Sequence, residues 1–209
     1  MPHTTPVLQA DGLSFGHGHG TLFAHLSVLL PSGVTLVCGD EGVGKTTLLR
    51  LLAGVLPLTT GELQIRGLRL ADQPDAYRRQ VSWFDPRDPA LDERTASQIF
   101  NTLPQRHPGH DADALQTHID GLSLAPHLDK PLLALSSGTR RKVLMAAALA
   151  SQASVTLLDQ PFMALDRPSI AYLLGVLAEA ARHPNRAWVV ADYVAPESVP
   201  LAQVIELAL

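Results

Sequence analysis

Gly39, Asp40, Glu41, Gly42, Val43, Gly44, Lys45 and Thr46 follow one another with the spacing G-x-x-x-x-G-K-[ST]. Glycines at these places let the backbone wrap so that its N–H groups face phosphate oxygens. A helix starting at the end of the loop adds the positive end of its dipole. In such a loop Lys45 reaches the β- and γ-phosphates of a nucleotide and the Thr46 hydroxyl ligates Mg²⁺. Thr47 follows as a further phosphate-binding candidate. Asp40 and Glu41 bring two carboxylates into a site meant for anions, which costs little if both face solvent and are screened.

The flanking segments supply the context that the loop requires. Residues 34–38 form a short continuous apolar run, as expected of a strand buried on both faces. Residues 46–56 then carry apolar side chains at helical spacing, with Leu48, Leu49, Leu51, Leu52 and Val55 on one side. Upstream, 7–15 and 22–30 read as strands separated by a glycine- and histidine-rich loop at 16–20, and 61–70 reads as part of another hairpin. His17 and His19 in that loop lack carboxylate or cysteine partners, so they make a poor metal site.

Downstream of about residue 85 the chain becomes rich in Pro, His and Asp, with short amphipathic pieces at 95–102 and 112–121. Regular patterning resumes at 136. A helix is expected over 139–150, a strand over 155–159, a helix over 168–181, a strand over 187–191 and a last strand over 204–207. Helices alternating with short apolar strands imply a mostly parallel sheet covered on both faces.

A phosphate loop by itself is compatible with several kinds of NTPase. The segment Leu135, Ser136, Ser137, Gly138, Thr139 narrows the choice, because it resembles the LSGGQ signature of ABC-type ATP-binding subunits and leads into a helix. The strand ending in Asp159 looks like the Walker B strand of that family, with Asp159 as a metal ligand. Pro161, Phe162, Met163, Ala164, Leu165 and Asp166 resemble its P-F-x-x-L-D segment. The resemblance runs over nearly the whole chain. It implies an α/β fold: a P-loop NTPase core with a mostly parallel sheet, an N-terminal antiparallel β subdomain and a small inserted helical subdomain at about 86–137. All of this falls within one domain over residues 1–209.

The resemblance also implies ATP and Mg²⁺ as cofactors and a head-to-tail pairing of two ATP-binding chains. Ser136, Ser137 and Gly138 would then hold the nucleotide of the partner chain. The family places an adenine-stacking aromatic near the end of the first strand, where Phe15 and His17 are the candidates and His17 has the better spacing.

The departures from the family pattern bear on hydrolysis. The general-base glutamate that should follow Asp159 is Gln160, pinned between Asp159 and Pro161. A carboxamide accepts no proton, and general-base help is worth about 10²- to 10⁴-fold. The switch histidine position after residues 188–191 is Asp192, and the Q-loop glutamine position is Pro86. Ser137 and Thr139 are milder changes within the signature. Asp85, Asp88 and Asp192 are the carboxylates that could replace the missing base.

Composition limits the rest. A net charge of −4 in 209 residues argues against a chain whose task is gripping nucleic acid, which needs clustered Lys and Arg. The one short basic cluster is Arg140, Arg141 and Lys142. Cys38 is the sole cysteine and reads as a small core residue. No leader is evident in residues 1–11, and the longest apolar run, 143–150, is far below the ~20 residues that span a bilayer. The expectation is a cytoplasmic protein, peripheral on the inner face of the cell membrane, whose span comes from a separate transmembrane transporter subunit. Its short length resembles small export-type subunits, those of cytochrome c biogenesis among them. Two other readings stay open: a catalytically weak ATP-binding switch or heterodimer partner, and a soluble non-transport ABC protein.

Overall fold

A computed structural model describes residues 5–17 and 20–208. The chain opens with an antiparallel hairpin, β1 (Leu8–His17) and β2 (Gly20–Leu30). Gly16 and His17 still pair, with Thr21 and Gly20, so the ladder runs into the segment expected to be a loop. The reason is Gly16. A Cβ there would stand 2.2 Å from the Gly20 carbonyl oxygen, so only glycine lets the strands close that far.

Next come β3 (Gly33–Cys38), α1 (Lys45–Leu52), β4 (Thr60–Ile65), β5 (Leu68–Arg69), α2 (Pro74–Arg79) and β6 (Val81–Ser82). Helix α1 ends earlier than the apolar spacing suggests. Gly54, at φ 67°, stops it in a left-handed turn, and a Cβ there would meet Leu70 at 2.8 Å. Helix α2 escapes a periodicity reading because Tyr77 is its one buried residue; the Tyr77 hydroxyl donates to the Leu52 carbonyl at 2.8 Å. The helical middle holds α3 (Ala96–Phe100), α4 (Leu103–Arg106) and α5 (Ala112–Gly121). The chain closes with α6 (Ser137–Ala150), β7 (Val155–Asp159), α7 (Arg167–Ala180), β8 (Ala187–Ala191) and β9 (Leu201–Glu206).

The strands form two sheets. One is antiparallel, in the order β2-β1-β4-β5; the other is parallel, in the order β6-β7-β8-β3-β9. The central strands are buried on both faces. Along β8, Ala187, Val189 and Ala191 enter a core shared with α1 and the antiparallel sheet, while Trp188 and Val190 enter a second core under α6 and α7. This two-sided burial is why 155–159 and 187–191 read as unbroken apolar runs. Strand β9, at the sheet edge, alternates half-buried and exposed residues, so its first three positions carry no continuous apolar signal.

Trp83, Phe84 and Phe100 are buried, and Leu91 is partly buried. Cys38 departs from expectation. It is only half-buried at the end of β3, where its carbonyl accepts from Leu207 N–H at 2.8 Å. Among the described residues no helix is long and apolar enough to cross a membrane.

Candidate functional site

The phosphate loop leaves the C-terminal end of β3, and its glycines are fixed by contacts. Gly39 (φ 143°) lies so close to the Leu207 carbonyl that a Cβ would stand 2.4 Å from its oxygen. Gly44 (φ 98°) is the N-cap of α1, and a Cβ there would meet both Leu22 and Phe23 at 2.9 Å. The hairpin β1–β2 therefore buttresses the loop. Gly44 has no side chain to cap the helix, so the first-turn N–H groups of α1 remain available to an anion. Val43 is buried and anchors the loop, whereas Asp40 and Glu41 are exposed, the arrangement in which their charges are screened.

Lys45 is 7% exposed and its ammonium spans the loop, donating to the Gly39 carbonyl at 2.6 Å and the Asp40 carbonyl at 2.8 Å. One of its three donors is left over for a ligand. The same ammonium stands 4.1 Å from the centre of the Tyr193 ring. Thr46 donates its hydroxyl to Asp159 Oδ2 at 2.7 Å, joining the start of α1 to the end of β7. Burial pushes the Asp159 carboxyl above the usual carboxylate range, and the Thr46 hydroxyl and the Arg87 guanidinium oppose that push. Asp159 Oδ1 is buried and has no hydrogen-bond partner among the described residues. The Thr46 hydroxyl and the Asp159 carboxylate, one of whose oxygens is orphaned, make an oxygen donor set that suits Mg²⁺.

These groups border a cleft of about 500 Å³. Of the residues singled out from sequence, Glu41, Gly42, Gly44, Lys45, Thr46, Thr47, Asp159 and Gln160 line it. Gln160 is half-buried at a positive φ of 46°, held by its N–H on the Ala191 carbonyl at 2.8 Å. An unfavourable backbone conformation at a functional position is a common form of stored strain.

Other residues stand apart from the cleft. Ser136 and Ser137 are exposed at the start of α6, where the Ser136 hydroxyl accepts from Thr139 N–H at 3.1 Å as the helix cap. Gly138 is buried, and a Cβ there would stand 2.2 Å from the Ala164 carbonyl oxygen. None of the three lines the cleft. Asp192 is just outside it: its N–H donates to the Val37 carbonyl at 3.0 Å and its carboxylate accepts from Tyr193 N–H at 2.8 Å. Burial raises the Asp192 carboxyl, opposed by that hydrogen bond and by Lys45. Asp85 accepts from Arg87 N–H at 2.9 Å and Asp88 caps a short turn through Ala90 N–H at 2.9 Å; neither lines the cleft. Phe15 is buried in the core. His17 ends β1, and its side chain lies outside the described residues, as does His19.

Pro86, Arg141 and Met163, named in the sequence for other reasons, also line the cleft, and the structure adds Arg87 and Tyr193. Tyr193 and Arg87 each directly follow a position that the sequence singled out, Asp192 and Pro86. Counting family positions stops one residue short of both. Arg141 belongs to the basic cluster on α6; it donates to the Met163 carbonyl at 3.2 Å, and burial lowers its pKa.

Known proteins share this chain's sequence pattern and its fold. The family described as ABC transporter matches residues 24–163. The cytochrome c biogenesis ATP-binding export protein CcmA of Pseudomonas syringae pv. syringae is 36% identical over 186 residues, covering 88% of this chain and 86% of that protein. The protein of the same name from Nitrosococcus oceani is 34% identical, covering 87% and 83%. Among solved structures, an ATP-binding subunit of an ABC transporter superposes with a TM-score of 0.78 at 22% identity, covering 90% of this chain and 80% of the other. A nucleotide-free ATP-binding cassette from an ABC transporter gives 0.69 at 17%, covering 90% and 81%. At these identities the two structures speak for the fold.

Proposed function

We propose, for a chain that belongs to the ABC transporter family, that it is an export-type ATP-binding subunit which holds nucleotide firmly and hydrolyses it slowly. The observation that carries the second half is Gln160, which lines the cleft at the position of the family's general base. ATP binding is what family membership implies. The loop N–H groups and Lys45 would hold the phosphates, and Thr46 with Asp159 would hold Mg²⁺. The metal would neutralise charge on the β- and γ-phosphates. Gln160 can orient a water molecule through its carboxamide but takes no proton from it.

On this reading residues 1–209 act as a single ATP-binding domain, and the inserted helices at 86–137 face a separate transmembrane subunit. The chain would then sit at the cytoplasmic face of the membrane. The relatives named above are export proteins of cytochrome c biogenesis, which supports an export role here. The exposure of Ser136 and Ser137, away from this chain's own cleft, supports a head-to-tail dimer in which they reach the partner's nucleotide.

A heterodimer with a catalytically intact sibling is the second reading. Gln160 favours it, because this chain's signature would complete a competent site on the sibling while its own site stays slow.

Sedimentation of the purified chain with and without Mg-ATP tests the pairing. A dimer that forms with ATP and is lost in Lys45→Ala supports self-pairing. A wild-type chain that binds ATP yet stays monomeric overturns self-pairing in favour of the sibling arrangement. A chain that binds no ATP overturns both.

A further inference from the structure

Asp92 holds the signature-like segment from both sides. Its carbonyl accepts Leu133 N–H at 3.0 Å, before Leu135, and its Oδ1 accepts Arg140 Nη1 at 2.6 Å, after Thr139. Arg140 Nη2 also donates to the Asp88 carbonyl at 2.7 Å, so one guanidinium grips two points of the turn at 85–92. None of Asp88, Asp92, Leu133 and Arg140 lines the nucleotide cleft. The turn itself is compact: Asp88 N–H donates to the Asp85 carbonyl at 3.1 Å, Ala90 N–H to Asp88 Oδ1 at 2.9 Å, and Asp92 N–H to the Pro89 carbonyl at 3.1 Å. Its other end brings Pro86 and Arg87 into the cleft lining. A short body braced by its own hydrogen bonds therefore meets the cleft at one end and the start of α6 at the other.

From this arrangement we infer that Arg140 is a positioning residue: through Asp92 and Asp88 it makes the start of α6 follow the turn at 85–92, so that nucleotide in this chain's own cleft sets the position of Ser136 and Gly138. The inference rests on the phosphate-loop reading of the cleft and deepens it. Three features support it. The Arg140 side chain is 13% exposed, and a short charge-assisted bond in that setting holds geometry in a way that a solvated surface pair does not. The planar fork of a guanidinium fixes two acceptors at once, so it carries orientation as well as distance. The next two residues fasten the same helix elsewhere, Arg141 Nε to the Met163 carbonyl at 3.2 Å and Lys142 to Asp166. Of the three cations in this basic cluster, Arg140 is the one that serves the turn.

The experiment is hydrogen exchange with and without Mg-ATP, read over 84–93 and 132–140, for wild type, Arg140→Met and Asp92→Asn. It is run at a concentration where the chain sediments as a monomer, so that no partner nucleotide covers the signature. The quantity read is the change that ATP causes in each segment, which a merely structural role for Arg140 would leave in place. Wild type should respond in both segments. Arg140→Met should keep the response at 84–93 and lose most of it at 132–140, and Asp92→Asn should weaken the same response. The double variant should lose no more than Arg140→Met, as expected of two groups acting as one tie. Several results overturn the role of Arg140 with ATP still bound: no wild-type response at 132–140, a full response there in Arg140→Met, or loss in both segments together. If Arg140→Met does not fold, a full response in Asp92→Asn overturns it. Absence of ATP binding to wild type overturns the phosphate-loop reading and the inference with it.

Discussion

Thr46 and Asp159, 113 positions apart in sequence, meet at 2.7 Å with the threonine hydroxyl donating to the carboxylate. That bond joins the phosphate loop, which follows β3, to the end of β7, with β8 between the two strands in the sheet. It also helps keep a buried carboxylate charged where burial alone favours the neutral acid. Thr46→Ala should therefore destabilise the nucleotide-free chain by about 1.5–3 kcal/mol, the range for a hydrogen bond to a charged group. Thr46→Ser should restore most of the loss. Urea denaturation at neutral pH checks both.

Two helical glycines should respond oppositely to the same change. At Gly138 a new Cβ would stand 2.2 Å from the Ala164 carbonyl oxygen, which is backbone and yields poorly. Gly138→Ala should cost about 1–3 kcal/mol. At Gly175, within α7, a Cβ meets nothing within 4 Å. Gly175→Ala should stabilise by about 0.5–1 kcal/mol through helix propensity. Paired denaturation curves decide whether the Ala164 contact is as tight as it stands.

Acid sensitivity should trace in part to His107. It is 3% exposed, its Nδ1 lies 3.1 Å from the Arg79 carbonyl, and burial lowers its pKa below the ordinary 6.5. A histidine lowered in the folded state contributes stability that is full above its unfolded value and is lost as pH falls through the folded one, because the unfolded chain takes up the proton more readily. Thermal melts from about pH 7.5 down to about pH 5.5 should show wild type losing stability. His107→Gln should lose less over the same interval, whatever its starting Tm. An equal loss in both would contradict this assignment.

Much of this architecture was legible in the sequence because of how it is buried. Strands covered on both faces announce themselves as continuous apolar runs, and 155–159 and 187–191 match β7 and β8. The phosphate loop was legible because glycine, lysine and threonine each have a single use at their places. Elements held by one side chain or by the sheet edge were not: α2 hangs on Tyr77, and β9 alternates. In the cleft, Lys45 and Thr46 were found from spacing, and Asp159 and Gln160 from the resemblance to the family pattern. Arg87 and Tyr193 were missed because their roles come from tertiary approach. A brace from Asp85 aims one at Asp159, and the ammonium of Lys45 lies against the other. Neither relationship leaves a periodic or spacing signal in the chain.

The central claim is that this cleft keeps nucleotide binding and has given up efficient hydrolysis at Gln160. Single-turnover ATP hydrolysis by wild type beside Gln160→Glu, with nucleotide occupancy matched, tests it most directly. The account predicts that wild type turns over near background and that Gln160→Glu gains about 10²- to 10⁴-fold, the usual contribution of a general base. A wild-type rate equal to or above that of the glutamate variant would contradict it and would assign proton abstraction to another group in the site.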